Sequence, residues 1–512
     1  MAANRILVLY LPTANQKMLP FPPLGITVLA GYLRRAGKEI RIDDIEIKYW
    51  DRNKPAMAIL RPLVKRLPLR YNNPKSIFLD TPLVSAYLES NILKSRMQKI
   101  LSEWEELTVE PPSTFTHVGF SVMSESQLAT SLCFAKYLKE KYGLFTLLGG
   151  NFLTLRMDSL LKRYPFIDYI IAGEGEIPLD KLIGGEPLQN IENLLYRTGD
   201  CININPPATH YADSMEPDFK DLPFHLYRRE SNIILPYETS KGCRNNCSFC
   251  ITGRKPLYFK EPKIIADEIE RFKIRHKTSC FLFVDNAINI DRKFSIQLCE
   301  EFIRRKLGIF WSAYFIPEDA PPDYFQLLKE AGCIQLRWGI ETLSEAGLRK
   351  MNKQVELDST LHALHASHKA GIWNHLMFMI GHPGETPRDI IKLLSFIAKH
   401  RNLFKSAGAA RFLLSRIDRL TENHDYKSYY GTAKVQEKKV FGLNYHEYNV
   451  SFLFFKSWLV QCVLLMCGIK FIGIFSRHKE RFERDQYFYG AFQQHSVAAK
   501  RLLTQNRDSC AL

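Results

Sequence analysis

The sequence contains no long uncharged hydrophobic run. Its most apolar segment, residues 451–475, is interrupted by Lys456 and Lys470, so the remaining stretches are too short to span a bilayer. We expect a buried helix there, and a helix lying on a membrane surface is the alternative. Residues 1–9 also lack the apolar length and the cleavage site of a secretory signal. These absences predict a cytoplasmic protein without a transmembrane segment.

The cysteines do not have the spacing of a small domain held together by disulfides. The chain has 11 cysteines in 512 residues, and most stand alone, as buried thiols do in a reducing compartment. Only Cys133 and Cys201 precede the one close group. Internal repeats and low-complexity tracts are absent as well. The length allows two or three domains, each with its own core.

The chain has fewer acidic than basic residues. Lys and Arg number 70 against 54 Asp and Glu, which gives a net charge of +16. Such an excess can indicate nucleic acid, phosphorylated substrates or anionic lipid as partners. The basic residues are spread along the chain, although 52–75 and 470–484 are locally rich. We interpret them as a solvated surface and expect no nucleic-acid partner.

Three cysteines stand close together after an extended run at residues 233–239. Cys243, Cys247 and Cys250 have the spacing CxxxCxxC, and thiolates so placed suit an iron–sulfur cluster or zinc. Three ligands in place of four leave one metal position open, which indicates chemistry rather than a structural role. A zinc knuckle and three unrelated buried thiols remain the alternatives at this point.

This motif resembles the signature of the radical S-adenosylmethionine (SAM) superfamily, CxxxCxΦC, in which Phe249 is the aromatic residue before the last cysteine. The resemblance implies a [4Fe-4S] cluster on Cys243, Cys247 and Cys250, with SAM chelating the fourth iron. It also implies one-electron cleavage of SAM to a 5′-deoxyadenosyl radical, and an electron donor such as flavodoxin or ferredoxin.

Strands and helices alternate after the motif. The strands are predicted from Ile233 and at 280–284, 309–315, 334–340, 375–380 and 410–414, with helices between them. Six strand–helix units predict a partial (β/α)6 barrel of the TIM type, in which the carboxyl ends of the strands carry the chemistry.

The resemblance places SAM-binding residues at Phe249 in the cysteine motif and at three of these strand ends. Asp285 follows the second strand, Glu341 lies in a segment resembling the G-x-E motif, and Gly381 and Gly384 lie in a segment resembling G-x-PGET. Each has a structural alternative: Asp285 caps a helix, Glu341 pairs with Arg337 or Arg349, and Thr386-Pro387 starts a helix. We interpret His375 and His382 as structural residues.

The first third of the chain also alternates. Strands are predicted at 5–11, 39–47, 116–122, 145–148 and 169–172. A capping box at 124–127 opens the helix that follows the third strand. This order predicts a doubly wound, Rossmann-like parallel sheet, which binds ligands at the carboxyl ends of its strands.

Five short stretches resemble the cobalamin-binding domain that precedes the catalytic domain in one class of radical SAM enzymes. They are 22–25, 33–37, 119–121, 148–150 and 173–176. The resemblance implies cobalamin contacts at Ser121, Gly149, Gly150 and Glu174, whereas the same glycines also suit ordinary tight turns. Residues 12–23 contain no histidine, so a bound cobalamin would lack a protein imidazole on its lower face.

We therefore expect an α/β domain at 1–199, a linker at 200–230, a radical SAM barrel at 231–420 and a mostly helical region at 421–512. The inserts at 48–115 and after 421 carry no motif that identifies a substrate.

The predicted function is a cobalamin-dependent C-methyltransferase acting on an unactivated carbon of a natural product, a peptide or a lipid. A radical SAM cyclase or rearrangement enzyme is one alternative. A tRNA methylthiotransferase is another, but it needs a second group of three cysteines in its N-terminal domain. The non-enzyme alternative is a zinc-binding interaction protein.

Overall fold

The structure is a computed structural model that forms two compact units. It describes residues 4–12, 21–52, 81–90, 94–153, 157–212, 216–227, 233–250, 256–382, 384–412, 435–440, 443–448 and 453–471. Unit 1 comprises residues 1–231 with 439–444, and unit 2 comprises 232–438 with 445–512. The predicted domain boundaries stay a prediction.

Unit 1 alternates strands and helices through most of its length. In chain order its elements are β1 (Arg5–Tyr10), α1 (Leu24–Arg35), β2 (Glu39–Asp44), α2 (Ile45–Arg52), α3 (Thr81–Ser90), α4 (Lys94–Glu105), β3 (His117–Ser121), α5 (Glu125–Tyr142), β4 (Phe145–Gly149), α6 (Asp158–Arg163), β5 (Tyr169–Ile171), α7 (Glu176–Ile183), β6 (Leu194–Thr198), β7 (Cys201–Ile204) and α8 (Phe224–Tyr227). The described parts of the 48–115 insert are thus largely helical.

The sheet of unit 1 has the strand order β2-β1-β3-β4-β5-β6-β7. The five predicted strands, β1 to β5, pair in parallel, and the two strands that the sequence did not predict extend the sheet in the antiparallel direction. Because the first five strands are parallel, their carboxyl ends share one edge. The expectation of an N-terminal parallel sheet is confirmed, with an antiparallel extension.

The second strand is shorter than predicted. It ends at Asp44, and Ile45 begins a helix. The buried Asp44 carboxylate accepts a hydrogen bond from the backbone N–H of Ile47 at 3.0 Å. This satisfies a donor in the first helical turn, so the chain turns into α2 rather than continuing the strand.

The segment 216–227, within the predicted linker, is fastened to the sheet domain of unit 1. Asp221 accepts hydrogen bonds from Arg34, from Arg41 at 3.1 Å and from the backbone N–H of Ile42 at 3.1 Å. The Tyr227 hydroxyl donates to Asp44 at 2.7 Å. These contacts give the segment a fixed path within unit 1.

Unit 2 begins with the predicted barrel strands. Its elements are β8 (Ile234–Tyr237), β9 (Ser240–Lys241), β10 (Tyr258–Phe259), α9 (Pro262–His276), β11 (Cys280–Phe283), α10 (Arg292–Arg304), β12 (Phe310–Phe315), α11 (Pro322–Glu330), β13 (Cys333–Glu341), α12 (Glu345–Lys350), α13 (Leu357–Lys369), β14 (Trp373–Ile380), α14 (Pro387–His400) and β15 (Ser406–Arg411). Farther along the chain, β16 (Val435–Val440) and β17 (Leu443–Tyr448) are divided between the units, because residues 439–444 belong to unit 1. Unit 2 then continues with α15 (Leu453–Met466) and β18 (Lys470–Phe471).

The large sheet of unit 2 is open and wholly parallel. Its order is β18-β15-β14-β13-β12-β11-β8, and every neighbouring pair is parallel. The six predicted strands are present, although β15 lies at 406–411 rather than at 410–414, and β18 adds a seventh at the far edge. In the described part of the chain the two edge strands do not pair with each other, which agrees with a partial barrel. The carboxyl ends of these strands therefore meet along one rim.

The C-terminal stretch contains both helix and strand within its described parts. The sequence did not predict β16, β17 or β18. Helix α15 buries Val460 and Leu464 completely, whereas Leu465 and Met466 are 63% and 76% exposed. Among the described helices, none is both long and apolar enough to cross a bilayer.

Candidate functional site

The three clustered cysteines lie in a loop that follows β8 at the carboxyl rim of the unit 2 sheet. The two ends of this loop are held together because β9 and β10 pair, Ser240 opposite Phe259 and Lys241 opposite Tyr258. Gly242, at the start of the loop, has a φ of +87°, a conformation that favours glycine. The loop is therefore closed at its base before it presents its thiols.

Hydrogen bonds fasten the loop to two neighbouring segments. The Asn286 side chain, just after β11, donates to the carbonyl of Gly242 at 2.6 Å. The Asn352 side chain, just after α12, donates to the carbonyl of Asn246 at 2.8 Å. The backbone N–H of Ser248 donates to the carbonyl of Met351 at 2.9 Å. These contacts hold both halves of the loop against the rim.

The three thiols are near enough to influence one another electrostatically. Cys247 is buried, and Cys243 and Cys250 are partly exposed. Burial raises the pKa of the Cys243 thiol, and it raises the pKa of Cys247 to about 11; Cys250 adds to both shifts, and the Lys353 ammonium opposes both. Cys243 and Cys247 are therefore neutral thiols near pH 7 without metal, and metal binding must displace their protons.

No group of three or more His, Cys, Asp or Glu side chains in the described residues is arranged to hold a single metal ion. A cubane cluster makes a different demand, because each cysteine binds a different iron and the sulfurs stand farther apart than the ligands of one ion. A loop with three thiols fits that donor set.

Phe249 packs against another aromatic ring within unit 2. Its ring meets that of Phe412 edge to face, with centroids 6.4 Å apart and planes at 71°. Phe412 directly follows β15, and its backbone N–H donates to the carbonyl of Ile380 at 2.9 Å. The aromatic residue of the cysteine motif thus fixes the loop to the ends of β14 and β15.

Asp285 is fully buried at the end of β11 and braces the start of the cysteine loop. Its Oδ1 atom accepts hydrogen bonds from the backbone N–H and the hydroxyl of Thr239, at 2.9 and 2.8 Å, and from the same two groups of Ser240. Burial raises the pKa of this carboxyl, and the hydrogen bonds oppose the shift. Oδ2 has no hydrogen-bond partner among the described residues, so one oxygen holds the loop and the other remains available to a ligand.

Glu341 ends β13 in an unusual backbone conformation. Its φ is +66°, which a residue other than glycine adopts at a cost of about 1–3 kcal/mol. Burial raises the pKa of its carboxyl, and Lys353 opposes the shift. The Lys353 ammonium lies 3.4 Å from Glu341 Oε1, and both side chains are about nine-tenths buried.

The alternative in which Glu341 pairs with Arg337 or Arg349 is therefore wrong. Arg349 pairs with Glu345 at 3.6 Å, and the Arg337 guanidinium lies over the Tyr314 ring, 5.2 Å from its centroid. The residue that sequence reasoning missed is Lys353. It lies 12 positions after Glu341 in a turn with no recognisable motif, so no local signal could have found it.

Gly381 and Gly384 both adopt left-handed backbone conformations, with φ of +82° and +77°. The backbone N–H of Gly381 donates to Glu385 Oε1 at 3.0 Å, and Lys456 donates to Glu385 Oε2 at 2.7 Å. A Cβ atom on Gly384 would meet only the end of the flexible Lys350 side chain, so the backbone conformation is what favours glycine there. The loop after β14 therefore needs glycine at both positions and is tied to α15.

The capping interpretation of Thr386 is confirmed. Its hydroxyl accepts from the backbone N–H of Asp389 at 3.3 Å, and the Asp389 carboxylate accepts from the backbone N–H of Thr386 at 2.8 Å. His382 is buried and shares a hydrogen bond with the Thr342 hydroxyl at 3.0 Å. His375 shares one with the Ser406 hydroxyl at 2.8 Å. Both histidines have structural partners.

The candidate residues of unit 1 lie together at the carboxyl edge of its sheet. Ser121 and Gly149 are paired neighbours at the ends of β3 and β4, and Glu174 follows β5. All three are partly exposed. A Cβ atom on Gly149 would meet only the carbonyl oxygen of Ile171, at 4.0 Å. The space above Gly149 is therefore open.

Gly150 is constrained by its backbone conformation and by the neighbouring loop. Its φ is +107°, and a Cβ atom there would lie 2.5 Å from the carbonyl oxygen and 2.7 Å from the nitrogen of Val122. The loops after β3 and β4 approach each other too closely for a side chain. Gly150 is thus required by backbone packing, whatever it contacts besides.

Comparison with known proteins identifies one part of the chain directly. Residues 237–397 match the family model of the radical SAM superfamily. This range contains the cysteine loop and each of the candidate residues of unit 2.

Two curated proteins show the range of relatives. An anaerobic magnesium-protoporphyrin IX monomethyl ester cyclase from Rubrivivax gelatinosus is 27% identical over 265 residues, which are 48% of this chain and 47% of the relative. A hopanoid C-3 methylase from Methylococcus capsulatus is 24% identical over 375 residues, which are 69% of this chain and 60% of the relative. The match thus spans about half the length of the cyclase and somewhat more of the methylase.

A solved structure resembles the fold of most of the chain. It is the radical SAM methyltransferase TsrM from Kitasatospora setae with cobalamin and a [4Fe-4S] cluster bound, at a TM-score of 0.55 and 17% identity, covering 80% of this chain and 72% of the other. At this level of identity the comparison shows a similar fold and nothing further.

Proposed function

We propose that this chain is a cobalamin-dependent radical SAM enzyme that transfers a methyl group to an unactivated carbon, because residues 237–397 match the radical SAM superfamily. The observation that carries the proposal is the cysteine loop: three thiols, closed at the base by β9 and β10 and braced by Asp285, stand at the carboxyl rim of an open parallel sheet.

The residues of the loop fit a [4Fe-4S] cluster. Cys243, Cys247 and Cys250 supply the thiolates, and the cationic Lys353 lies where their negative charge would develop. With SAM on its fourth iron, the cluster would supply the one-electron cleavage that starts the reaction. The partly buried position of the three thiols limits the access of water and oxygen.

Five further residues of unit 2 would contribute to the SAM site. Glu341 presents a buried carboxylate to the amino group, and Asp285 has a second oxygen available beside the loop. The loop of Gly381 and Gly384 presents backbone in a left-handed conformation, which suits close approach to an adenine ring. Phe249 contributes by fixing the cysteine loop against Phe412. Together these residues orient SAM at the rim, which is the main contribution a protein makes to such chemistry.

The edge of the unit 1 sheet fits a large flat ligand. The open space above Gly149, with Ser121 beside it and Glu174 at the next strand end, makes a partly exposed cradle at the carboxyl ends of three parallel strands. Bound there, cobalamin would supply the methyl group that is transferred to carbon. Gly150 shapes this edge by letting the neighbouring loop approach.

The two glycines at this edge give a matched pair of variants. We expect Gly150→Ala to destabilise unit 1 by about 1–3 kcal/mol, because its backbone conformation and the contact with Val122 exclude a side chain. We expect Gly149→Ala to unfold at the wild-type urea concentration but to bind cobalamin about tenfold more weakly, a loss of about 1.4 kcal/mol. Equal cobalamin affinity in Gly149→Ala and wild type would remove Gly149 from the site.

The proposed function is tested with anaerobically reconstituted protein. We expect the protein to contain iron and cobalt, and to release 5′-deoxyadenosine and S-adenosylhomocysteine together when cell extract supplies the substrate. The methylated product is sought by mass spectrometry, by comparing extracts treated with wild-type and Cys247→Ala protein. Stoichiometric zinc without iron would contradict the proposal and favour a zinc-binding interaction protein.

A cyclase or rearrangement enzyme is the second candidate, because a curated relative is named as a cyclase. The two functions differ in their products. A cyclase releases 5′-deoxyadenosine without S-adenosylhomocysteine, whereas a methyltransferase of this class releases both. The ratio of the two products therefore separates the candidates before the substrate is known.

The partners follow from the same chemistry. A small molecule, a peptide or a lipid is the substrate, and an electron donor such as flavodoxin or ferredoxin supplies the electron. We place the protein in the cytosol, because a reducible cluster and the singly placed thiols, Cys280, Cys299 and Cys333 among them, suit a reducing compartment.

A further inference from the structure

The inner face of the large sheet in unit 2 can be identified from the contacts of one residue on β14. The Asn374 side chain hydrogen-bonds to the hydroxyl of Ser367 and to the carbonyl of Leu364, both in α13, so it lies on the face that the helices cover. Side chains alternate between the two faces of a strand. His375 therefore lies on the inner face of the partial barrel, and so does Arg337, its paired neighbour on β13.

A row of polar side chains crosses this inner face. Arg337 is level with Tyr314 on β12, and His375 is level with Ser406 on β15. The side-chain contacts follow the pairing, because the Arg337 guanidinium lies over the Tyr314 ring and His375 shares a hydrogen bond with Ser406. Tyr314 is the last residue but one of β12. Four neighbouring strands thus present one polar row close to the carboxyl rim.

Arg337 brings a permanent positive charge into this row. The residue is 6% exposed, and a buried charge is costly unless polar groups around it compensate. The guanidinium contacts the face of the Tyr314 ring and lies 3.5 Å from Gln335 Oε1, and both of these groups are uncharged. A carboxylate offers a guanidinium a stronger interaction than either group, because the two can form a pair of parallel, charge-assisted hydrogen bonds.

Between the polar row and the rim, the inner face becomes apolar and more open. Met377 and Met379 follow His375 at every second position of β14, and they pair with Gly408 and Ala410 on β15. All four residues are partly exposed. The small residues on β15 leave room beside the strand, and methionine side chains adapt to the shape of a ligand. A ligand that contacts Arg337 can therefore extend an apolar skeleton toward the rim that carries the cysteine loop.

We propose that Arg337 binds a carboxylate of the substrate, and that the substrate is a carboxylic acid whose apolar skeleton lies against Met377 and Met379. This inference rests on the proposed function and deepens it by naming the class of substrate. One permanent positive charge matches one carboxylate better than a phosphate group, which carries about 1.5 to 2 negative charges at pH 7. The acid is distinct from SAM, which the cluster holds through its fourth iron.

The first test examines the charge of the substrate. Cell extract is separated by anion exchange, and each fraction is incubated anaerobically with SAM, a reductant and wild-type protein loaded with cluster and cobalamin. We expect S-adenosylhomocysteine above background, and a product heavier by one CH₂ group, with a retained fraction and not with the unretained one. Converting the carboxyl groups of that fraction to amides should abolish the product, whereas treatment with phosphatase should not affect it.

The second test examines Arg337 with the active fraction as the probe. We expect Arg337→Met to need about tenfold to a hundredfold more of the fraction for half-maximal release of S-adenosylhomocysteine. The maximal rate should change much less, because the lost interaction holds substrate and transition state alike. Arg337→Lys keeps the charge and should recover part of the affinity. Iron content and circular dichroism verify that both variants fold.

Two controls show that the effect concerns the substrate. Arg304→Met removes an arginine from the end of α10, where its side chain is 65% exposed, and should match wild type in every measurement. The SAM affinity of the cluster-loaded Arg337→Met protein, titrated through the electron paramagnetic resonance signal of the cluster, should equal that of wild type.

The outcomes separate the inference from its premise. A product formed from the unretained fraction, a product that survives amidation or is lost after phosphatase, or an unchanged requirement for the fraction in Arg337→Met overturns the inference and leaves the proposed function intact. A weaker SAM affinity in Arg337→Met also overturns it, because the arginine would then serve SAM. Failure of the wild type to release S-adenosylhomocysteine with any fraction overturns the proposed function itself.

Discussion

Substituting Cys247 should abolish SAM cleavage. We expect the Cys247→Ala protein to release no 5′-deoxyadenosine above background when it is incubated with SAM and dithionite, because the cluster then has two protein ligands. Cys247 is the most buried of the three cysteines in the loop, so water cannot readily replace its sulfur. The product is measured by liquid chromatography with mass spectrometry.

A matched substitution shows that the loss is specific. Cys201→Ala replaces an exposed cysteine on β7 in unit 1, and we expect wild-type release of 5′-deoxyadenosine. The circular dichroism spectrum of Cys247→Ala should retain the wild-type helix content, since the loop adds little regular structure. Continued release of 5′-deoxyadenosine by Cys247→Ala would contradict the assignment of the cluster.

Removing the carboxyl group of Asp285 should have the largest effect on the integrity of the site. In Asp285→Ala the two backbone N–H groups and the two hydroxyls that Oδ1 now accepts from lose their acceptor. A buried donor left without a partner costs about 1–3 kcal/mol, so we expect unit 2 to lose at least about 3 kcal/mol. Denaturant unfolding measures the loss, and the iron content should fall with it.

The asparagine variant separates bracing from ligand binding. In Asp285→Asn the side-chain oxygen keeps the four hydrogen bonds, and the NH₂ group takes the place of Oδ2, which has no partner among the described residues. We expect it to retain most of its iron. If Oδ2 contacts SAM, the folded, iron-containing variant binds SAM more weakly than wild type; if Asp285 only braces the loop, the affinity is unchanged.

The strand pattern was readable because parallel strands buried on both faces are continuous apolar runs. β11, whose four residues are all apolar and buried, is an example. Capping residues could be predicted because their hydrogen bonds join residues that are close in sequence. Thr386 and Asp389 form their reciprocal hydrogen bonds within one turn, so the sequence contains the whole interaction.

Other features depend on contacts between distant residues. The end of β2 at Asp44 depends on a buried carboxylate that also binds Tyr227, 183 positions away. The partner of Glu341 depends on where the turn after α12 is held, which Asn246 and Ser248 decide from the cysteine loop. The left-handed backbone at Glu341 was also unreadable, because a residue other than glycine gives no signal of it.

Asp285 has one feature that the sequence predicted and contacts that the sequence did not predict. Its place after a buried strand predicted a polar role at the rim, either as a cap or toward a cofactor. The structure shows that one carboxylate oxygen receives four donors from Thr239 and Ser240. Those partners lie 46 and 45 positions earlier in the chain, so the sequence indicated the position of the residue and not its contacts.

The central claim is that three thiols hold a cluster whose remaining iron binds SAM. The most direct measurement is the electron paramagnetic resonance spectrum of the anaerobically reconstituted and reduced protein, recorded with and without SAM. We predict about four irons per chain, a signal of a reduced [4Fe-4S] cluster, and a change in that signal when SAM is added. An iron-free protein, or a cluster signal that SAM leaves unchanged, would contradict the account.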